Sequence, residues 1–248
     1  YIPASQKMNT LIEHREDSDR FQLLNGVWKF QYYKSVYDLK EAFYRTSFNA
    51  KDFDDITVPG VWQIAGYDSP QYTNIRYPFP FDPPYLPQDI PCGAYVRKFT
   101  YHENIDAPRI YLNFEGVDGY SQVPHATAEF DVTEFLEEGE NTIAVLVLKW
   151  CDGSYLEDQD KFRMNGIFRD VYLLKRPERA IWDYHITTQI KENTAKIKLN
   201  VTFDFSIPVS VIIEDQARAV VATGTISDDG SIEFKIQNPT LWNTEHPY

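Results

Sequence analysis

Four apolar side chains, Ile197, Leu199, Val201 and Phe203, alternate with Lys198, Asn200 and Thr202, and Trp28, Phe30 and Tyr32 alternate in the same way with Lys29 and Gln31. A period of two puts the apolar set on one face of an extended strand and the polar set on the other, so each run reads as a half-buried β-strand. Further strands are expected at Ala94–Tyr101, Arg109–Phe114, Ala128–Val132, Ile143–Leu148, Val171–Leu174, Val209–Ile213, Val220–Ile226 and Ile232–Ile236. Short strands at this spacing, with no strand–helix rhythm, mean an antiparallel sandwich or jelly roll. Asn25-Gly26 and Asp228-Asp-Gly230 supply turn chemistry. Helical expectation is confined to Tyr37–Tyr44, burying Leu39 and Phe43, and to a capped turn over Thr133–Gly139.

Two stretches break the strand pattern. Residues 1–25 are polar and read as extended. From Thr57 to about Pro91 the chain is irregular, with Tyr67, Tyr72, Tyr77, Phe79, Phe81 and Tyr85 among seven prolines between Pro70 and Pro91. Proline has no N–H to give a ladder, so this is not a central strand. It reads as a rigid, ordered loop. Weakly charged aromatic surfaces stack on sugar rings, and a lid over the chain's own core edge accounts for most of these residues equally well.

The connection Trp150–Asp170, between two strands, is the richest in chemistry. It holds Trp150, Tyr155, Phe162 and Phe168, and it gathers Asp152, Glu157, Asp158, Asp160 and Asp170 beside Lys161, Arg163 and Arg169. A connection this long is functional or disordered, and its aromatic content argues against disorder. Crowded carboxylates repel unless cations, backbone N–H groups or an ion hold them. Asp152 and Asp158 read as turn caps or arginine partners, Arg169-Asp170 as an ion pair locking the exit. The spacing from Asp152 to Asp160 is not that of an EF-hand. The five histidines, His14, His102, His125, His185 and His246, show no metal or triad spacing.

Composition narrows the function classes. The 248 residues are 43% hydrophobic and 15% aromatic, enough for one large or two modest β cores. The formal charge of −13, without a Lys/Arg cluster, argues against a nucleic-acid partner. No apolar run reaches membrane-spanning length, and no signal pattern opens the chain, so the expectation is a cytoplasmic protein without a membrane partner. Cys92 and Cys151 read as free thiols, with a single disulfide left open. Asn200-Val-Thr202 is a sequon only outside the cytoplasm. A texture change at Lys175-Arg-Pro-Glu178 divides the chain into residues 1–177 and 178–248. The second part reads as an immunoglobulin-like sandwich that still wants its closing strands at Tyr248.

Five stretches, in order, resemble the N-terminal region of family 2 glycoside hydrolases on the bacterial β-galactosidase branch. They are Leu24-Asn-Gly-Val-Trp-Lys-Phe30, Val58-Pro-Gly-Val-Trp-Gln-Ile-Ala-Gly-Tyr-Asp68, Tyr72-Thr-Asn-Ile-Arg-Tyr-Pro78, Asp152-Gly-Ser-Tyr-Leu-Glu-Asp-Gln-Asp160 and Gly166-Ile-Phe-Arg-Asp170. The resemblance runs through residues 20–177 and continues more weakly to Asn238-Pro-Thr-Leu-Trp242. It implies an all-β chain: a jelly-roll, galactose-binding-like sandwich followed by an immunoglobulin-like β-sandwich. In the family a TIM barrel follows, whose two glutamates hydrolyse terminal β-D-galactosides such as lactose with retention. By the resemblance neither glutamate lies in this stretch, Glu157 included, and this portion alone is expected to be inactive.

What the resemblance carries over is a wall of the galactose pocket. Asp160 matches an aspartate that binds a sodium ion and the region of the sugar's C6 hydroxyl, and Asn74 matches an asparagine reaching into the same pocket. Carboxylate and amide oxygens are hard ligands, and an amide also bonds hydroxyls. The remaining sodium ligands and a magnesium ion belong to the barrel, so sodium binding by this portion alone is expected to be weak or absent. The implied partners are a galactoside substrate, the remaining domains of the parent chain and, in the full-length protein, further copies in a homo-oligomer. The sequence departs from the pattern once: the family has a strand and an Asn-Gly hairpin between Glu115-Gly-Val-Asp118 and Gly119-Tyr-Ser-Gln122, and here the two sides abut. A chain lacking that strand is expected to lose part of its sheet. The rival reading, from another class, is a self-standing carbohydrate-binding or adhesion module of two β-sandwiches. A third reading is a purely structural jelly roll.

Overall fold

The computed structural model describes residues 1–9, 12–39, 42–73, 76–118, 126–156, 160, 162–203, 208–226 and 230–245. In chain order the first twelve strands are β1 (Phe21–Leu23), β2 (Gly26–Tyr33), β3 (Asp54–Val58), β4 (Gln71–Tyr72), β5 (Cys92–Tyr101), β6 (Arg109–Phe114), β7 (Val117–Asp118), β8 (Ala128–Asp131), β9 (Gly139–Leu148), β10 (Phe162–Arg163), β11 (Gly166–Ile167) and β12 (Val171–Arg176). They build two four-stranded antiparallel sheets, ordered β1-β12-β6-β8 and β3-β2-β5-β9, with short pairs β4·β10 and β7·β11 beside them. The chain is all-β, and no α-helix occurs among the described residues.

The alternation along β2 decides where the core lies. Trp28 and Phe30 are buried while Val27 is exposed and Lys29 half-buried. Phe30 meets the Tyr95 ring at 4.7 Å and the Trp62 ring at 6.2 Å, and Trp28 meets Tyr95 edge-on at 6.4 Å. Ile110, Val171 and Leu173 join the same core from the other sheet. Burying each such side chain stabilises the fold by roughly 1.5–3 kcal/mol. β12 is buried on both faces: Tyr172 and Leu174 turn away from the core and pack with Phe21, Tyr111 and Ile2. On the outer face of the second sheet, Phe43 and Phe53 cover Ala94 and Val96. These two layered sheets are the jelly roll.

The remaining strands are β13 (Ile181–Lys191), β14 (Thr194–Phe203), β15 (Val209–Glu214), β16 (Val220–Ile226) and β17 (Ser231–Gln237). They form the sheets β13-β14-β17 and β15-β16 of an immunoglobulin-like sandwich. A Cβ at Gly224 of β16 would lie 2.4 Å from Ile232 Cδ1 of β17, so the Ile232 side chain would have to shift to admit one. The chain divides into two compact units, one of Ile2–Met8 with His14–Arg176, the other of Tyr1, Asn9–Glu13 and Pro177–Tyr248. No helix among the described residues is long and apolar enough to cross a membrane.

Several local expectations are corrected. Among the described residues of Tyr37–Tyr44 no α-helix forms; a 3-10 turn, Val36–Asp38, is capped by the Ser35 side chain, which accepts from the Tyr37 N–H. An isolated eight-residue helix is marginal, and burial of Phe43 beside Phe53 wins instead. Over Thr133–Gly139 the helical part is a 3-10 turn, Thr133–Phe135. Its start is held by Asp131, whose Oδ1 accepts from the Thr133 N–H at 3.0 Å and hydroxyl at 2.6 Å. Gly139 opens β9 at φ 99° rather than closing a helix. Residues 1–25 are not uniformly extended coil: Arg15–Asp17 is a 3-10 turn, and β1 pairs with β12. The junction read as lacking a hairpin is described up to Asp118, where β7 pairs with β11; its second side, residues 119–125, lies outside the described residues.

Candidate functional site

β9 ends at Leu148, and the connection to β12 is built first on aromatic packing. Trp150 lies edge-on to Phe79 at 5.2 Å, and the Lys149 ammonium sits 5.2 Å from the Trp150 ring while pairing with Asp68 at 2.5 Å. A 3-10 turn, Asp152–Tyr155, buries Ser154 and Tyr155. Phe79 and Phe81 meet the Tyr155 ring edge-on at 5.3 and 5.4 Å. The Tyr155 hydroxyl donates to the Tyr85 carbonyl and accepts from the Asp82 N–H at 3.3 Å, and Tyr77 donates to the Tyr155 carbonyl at 3.0 Å. The proline-rich stretch is therefore the clasp around this connection. Phe81 and Tyr85 keep large exposed faces.

At the tip, β10 pairs with β4 in the register Phe162↔Tyr72 and Arg163↔Gln71. Tyr72 and Phe162, 53% and 59% exposed, hold their rings 5.5 Å apart. Asp160 is exposed, and its Oδ1 accepts a 2.6 Å hydrogen bond from the Tyr72 hydroxyl. Among the described residues Asp160 forms no ion pair with Arg163 or Arg169. The opposite face of the ribbon holds buried Arg163 and half-buried Gln71 and Thr73, and Arg163 Nε, Gln71 Oε1 and Thr73 Oγ1 are enclosed without a hydrogen-bond partner among the described residues. Asn74, Glu157, Asp158 and Lys161 lie outside the described residues. Asp152 is not the cap of its turn: it is the first residue inside it, accepting from the Gly153 N–H at 2.9 Å, while the N-cap is Cys151, whose N–H donates to Ser154 Oγ at 3.1 Å.

The return limb is locked by backbone and amide bonds. Asn165 and Gln63 exchange two buried hydrogen bonds, Gln63 Nε2 to Asn165 Oδ1 at 3.0 Å and the Asn165 N–H to Gln63 Oε1 at 2.8 Å. The Trp62 N–H donates to the Asn165 carbonyl at 2.9 Å, and the Gly60 N–H to Ile167 at 2.7 Å. Gly166 sits at φ 142°, and a Cβ there would lie 2.6 Å from the Gly60 carbonyl oxygen, so the close approach requires glycine. At the exit Asp170 is an ion-pair residue, as expected, but its partner is Arg15 rather than Arg169. Arg15 also binds Glu115 at 2.5 Å, and Asn25 donates to Asp170 at 2.7 Å. The Glu115 carboxylate, against an opposing effect of burial, holds the Arg15 pKa above its ordinary value. Arg169 instead lies 5.7 Å from the Phe168 ring.

Among the described residues no group of three or more His, Cys, Asp and Glu side chains is placed to hold a metal ion. Asp160 is one hard oxygen ligand with an accessible carboxylate, which fits a single position in the shell of a hard cation and not a whole shell. Cys92 and Cys151 are both buried and are not joined in a disulfide. Sequence reading gave Tyr72 no role of its own. Its signal is the ribbon register, which sets Tyr72 diagonal to Asp160.

Residues 21–177 match the glycosyl hydrolases family 2 sugar binding domain, and residues 180–248 match a second model described as glycosyl hydrolases family 2. The chain belongs to glycosyl hydrolases family 2. It corresponds to the family's N-terminal sugar-binding and immunoglobulin-like domains. A beta-galactosidase of Actinobacillus pleuropneumoniae is 43% identical over 259 residues, covering 100% of this chain and 25% of that protein. A beta-galactosidase of Staphylococcus xylosus is 42% identical over 262 residues, covering 100% of this chain and 26% of the relative. The chain thus spans about a quarter of the length of these curated relatives. Both alignments are longer than the 248 residues here, so the relatives carry residues that this chain lacks. Among solved structures, a beta-glucuronidase from an uncultured Clostridium sp. superposes with a TM-score of 0.68 at 24% identity, over 93% of this chain and 42% of that one. A Lactobacillus rhamnosus beta-glucuronidase does so at 0.68 and 21%, over 91% and 40%. At these identities the structural matches speak for the fold alone.

Proposed function

We propose that this chain is the N-terminal, non-catalytic portion of a β-galactosidase-like hydrolase whose full-length form releases terminal β-D-galactose by a retaining two-glutamate mechanism. In this reading residues 1–177 are the sugar-binding jelly roll and residues 178–248 the immunoglobulin-like domain. The jelly roll lends its Trp150–Asp170 connection to a galactose pocket completed by the rest of the protein. Asp160 carries the reading: an exposed carboxylate at the tip of a ribbon whose base is clamped by Tyr155, Asn165 and Asp170.

A sodium ion, when bound, supplies a hard positive centre for the sugar's hydroxyl oxygens. Asp160 would give it one ligand, and no residue of this chain is assigned to magnesium. The 43% identity to a beta-galactosidase supports galactosides over glucuronides as the substrate class. Two buried cysteines that form no disulfide support a reducing, cytoplasmic setting. The full-length protein is proposed to be a homo-oligomer.

The test compares the pure 248-residue chain with the full-length gene product on chromogenic β-galactosides and β-glucuronides. The expected result is no turnover by the short chain, galactosidase activity from the long one, and a raised KM in Asp160→Asn. Turnover by the short chain, or a glucuronide preference in the long one, refutes the reading. Calorimetric binding of galactose by the short chain alone would favour the self-standing binding module.

A further inference from the structure

Asp160 is exposed, and an exposed aspartate samples several rotamers. To present one oxygen to a ligand it must be ordered, and ordering costs free energy at the moment of binding. The ribbon holds a device that meets this cost in advance. Among the described residues β4 and β10 share two residue pairs, and Tyr72 stands directly across from Phe162. Asp160 lies two residues before Phe162, which makes it the diagonal neighbour of Tyr72, within reach of a long aromatic side chain. The Tyr72 hydroxyl donates to Asp160 Oδ1 at 2.6 Å, the length of a hydrogen bond between a hydroxyl and an ionised carboxylate. The Tyr72 ring is itself steadied by Phe162, with centroids 5.5 Å apart and planes inclined at 46°.

We propose that Tyr72 is a positioning residue for the galactoside pocket, fixing the Asp160 carboxylate through Oδ1 so that Oδ2 is the oxygen turned to the incoming ion or sugar hydroxyl. This rests on the pocket reading of Asp160 given above and adds a residue to it. Both rings remain more than half exposed. The arrangement accordingly orients a side chain at the surface and does not fill the core. A hydroxyl donor is suited to the task because it stabilises the anionic carboxylate without adding a charge that would compete with a cation.

The experiment uses the full-length protein as wild type, Tyr72→Phe and Asp160→Ala. Tyr72→Phe keeps the ring and its contact with Phe162 and removes the hydroxyl alone. One readout is the melting temperature against sodium concentration, with potassium holding ionic strength constant, which gives the half-saturating sodium. The other is KM and kcat on a chromogenic β-galactoside at limiting and at saturating sodium. Loss of a partner that orients a ligand typically weakens an ion site 10- to 100-fold. At an exposed site the expectation is the lower end, about tenfold in half-saturating sodium. KM should rise at limiting sodium and recover at saturation, with kcat little changed, and Asp160→Ala should abolish the sodium response. If Tyr72→Phe lowers melting equally in sodium and potassium and leaves half-saturation within about twofold, Tyr72 is packing only and the inference is overturned. If wild type and Asp160→Ala respond alike to sodium and have the same KM, the pocket reading fails and the inference falls with it.

Discussion

Replacing Asn165 by alanine should destabilise the jelly roll by about 1–3 kcal/mol, for a reason that can be separated from lost packing. Asn165 and Gln63 are both buried. Truncation at Asn165 deletes the acceptor of the 3.0 Å bond from Gln63 Nε2 and a long 3.4 Å donation to the Lys149 carbonyl. It leaves the two backbone bonds of Asn165 in place. The cost is dominated by one buried amide donor left unmade, about 1–3 kcal/mol, with little from the 3.4 Å contact. Gln63→Ala should cost more, because it orphans both the Asn165 N–H and Oδ1. The double variant should cost less than the two singles together by about 1–2 kcal/mol, since each single loss exposes a defect that the other removes. Urea unfolding followed by tryptophan fluorescence measures this: Trp28, Trp62 and Trp150 are buried in this unit, whereas Trp182 and Trp242 are exposed in the other. Costs that add to within about 0.5 kcal/mol would mean the two amides are not coupled in the folded state, and the lock on the return limb would have to be abandoned.

Two further outcomes follow from the core and its titrating groups. Gly93→Ala would set a Cβ 2.5 Å from Phe30 Cε2 and 2.7 Å from Trp62 Cζ3, rings with no exposed surface to move into. Overpacking of about 1–3 kcal/mol is expected, and adding Phe30→Leu should recover part of it; a neutral Gly93→Ala in urea unfolding would contradict the geometry. Burial, with a smaller push from Asp38, raises the Cys92 thiol from its ordinary 9.0 to about 11, and burial first raises Tyr32 and Tyr172 from 10.0 to about 12. The unfolded chain therefore loses these protons first. Stability should be full below about pH 9 and decline as pH rises from there toward 11–12. Urea midpoints at pH 8, 9.5 and 10.5 check the slope, and Cys92→Ala should flatten its lower part.

By itself the sequence determined the class of fold and most of its long strands. Arg109–Phe114 and Val220–Ile226 lie where the apolar pattern puts them, and Ala94–Tyr101 and Ile197–Phe203 grow by two or three residues at one end. Period-two patterning is a local signal, written wherever one face is wet and the other dry. The motifs that resemble family 2 were legible for the same reason, being contiguous. What escaped was set by partners far away in the chain. Strand β13 carries the alternation Trp182, Tyr184, Ile186, and only its pairing with β14 marks it as a strand here. Among the described residues the pairs β4·β10 and β7·β11 are two residues long, too short to have a period. Asp170 sits next to Arg169 in sequence, yet its partner is Arg15, 155 positions earlier. Asp160 gains the Tyr72 hydroxyl across 88 positions. Sequence spacing says which side chains share a face of one strand, whereas which charge or hydroxyl meets another depends on the register between strands and the loops that bring them side by side. Only the tertiary structure decides that, because long-range contacts become available only after chain entropy has been lost to the folded core.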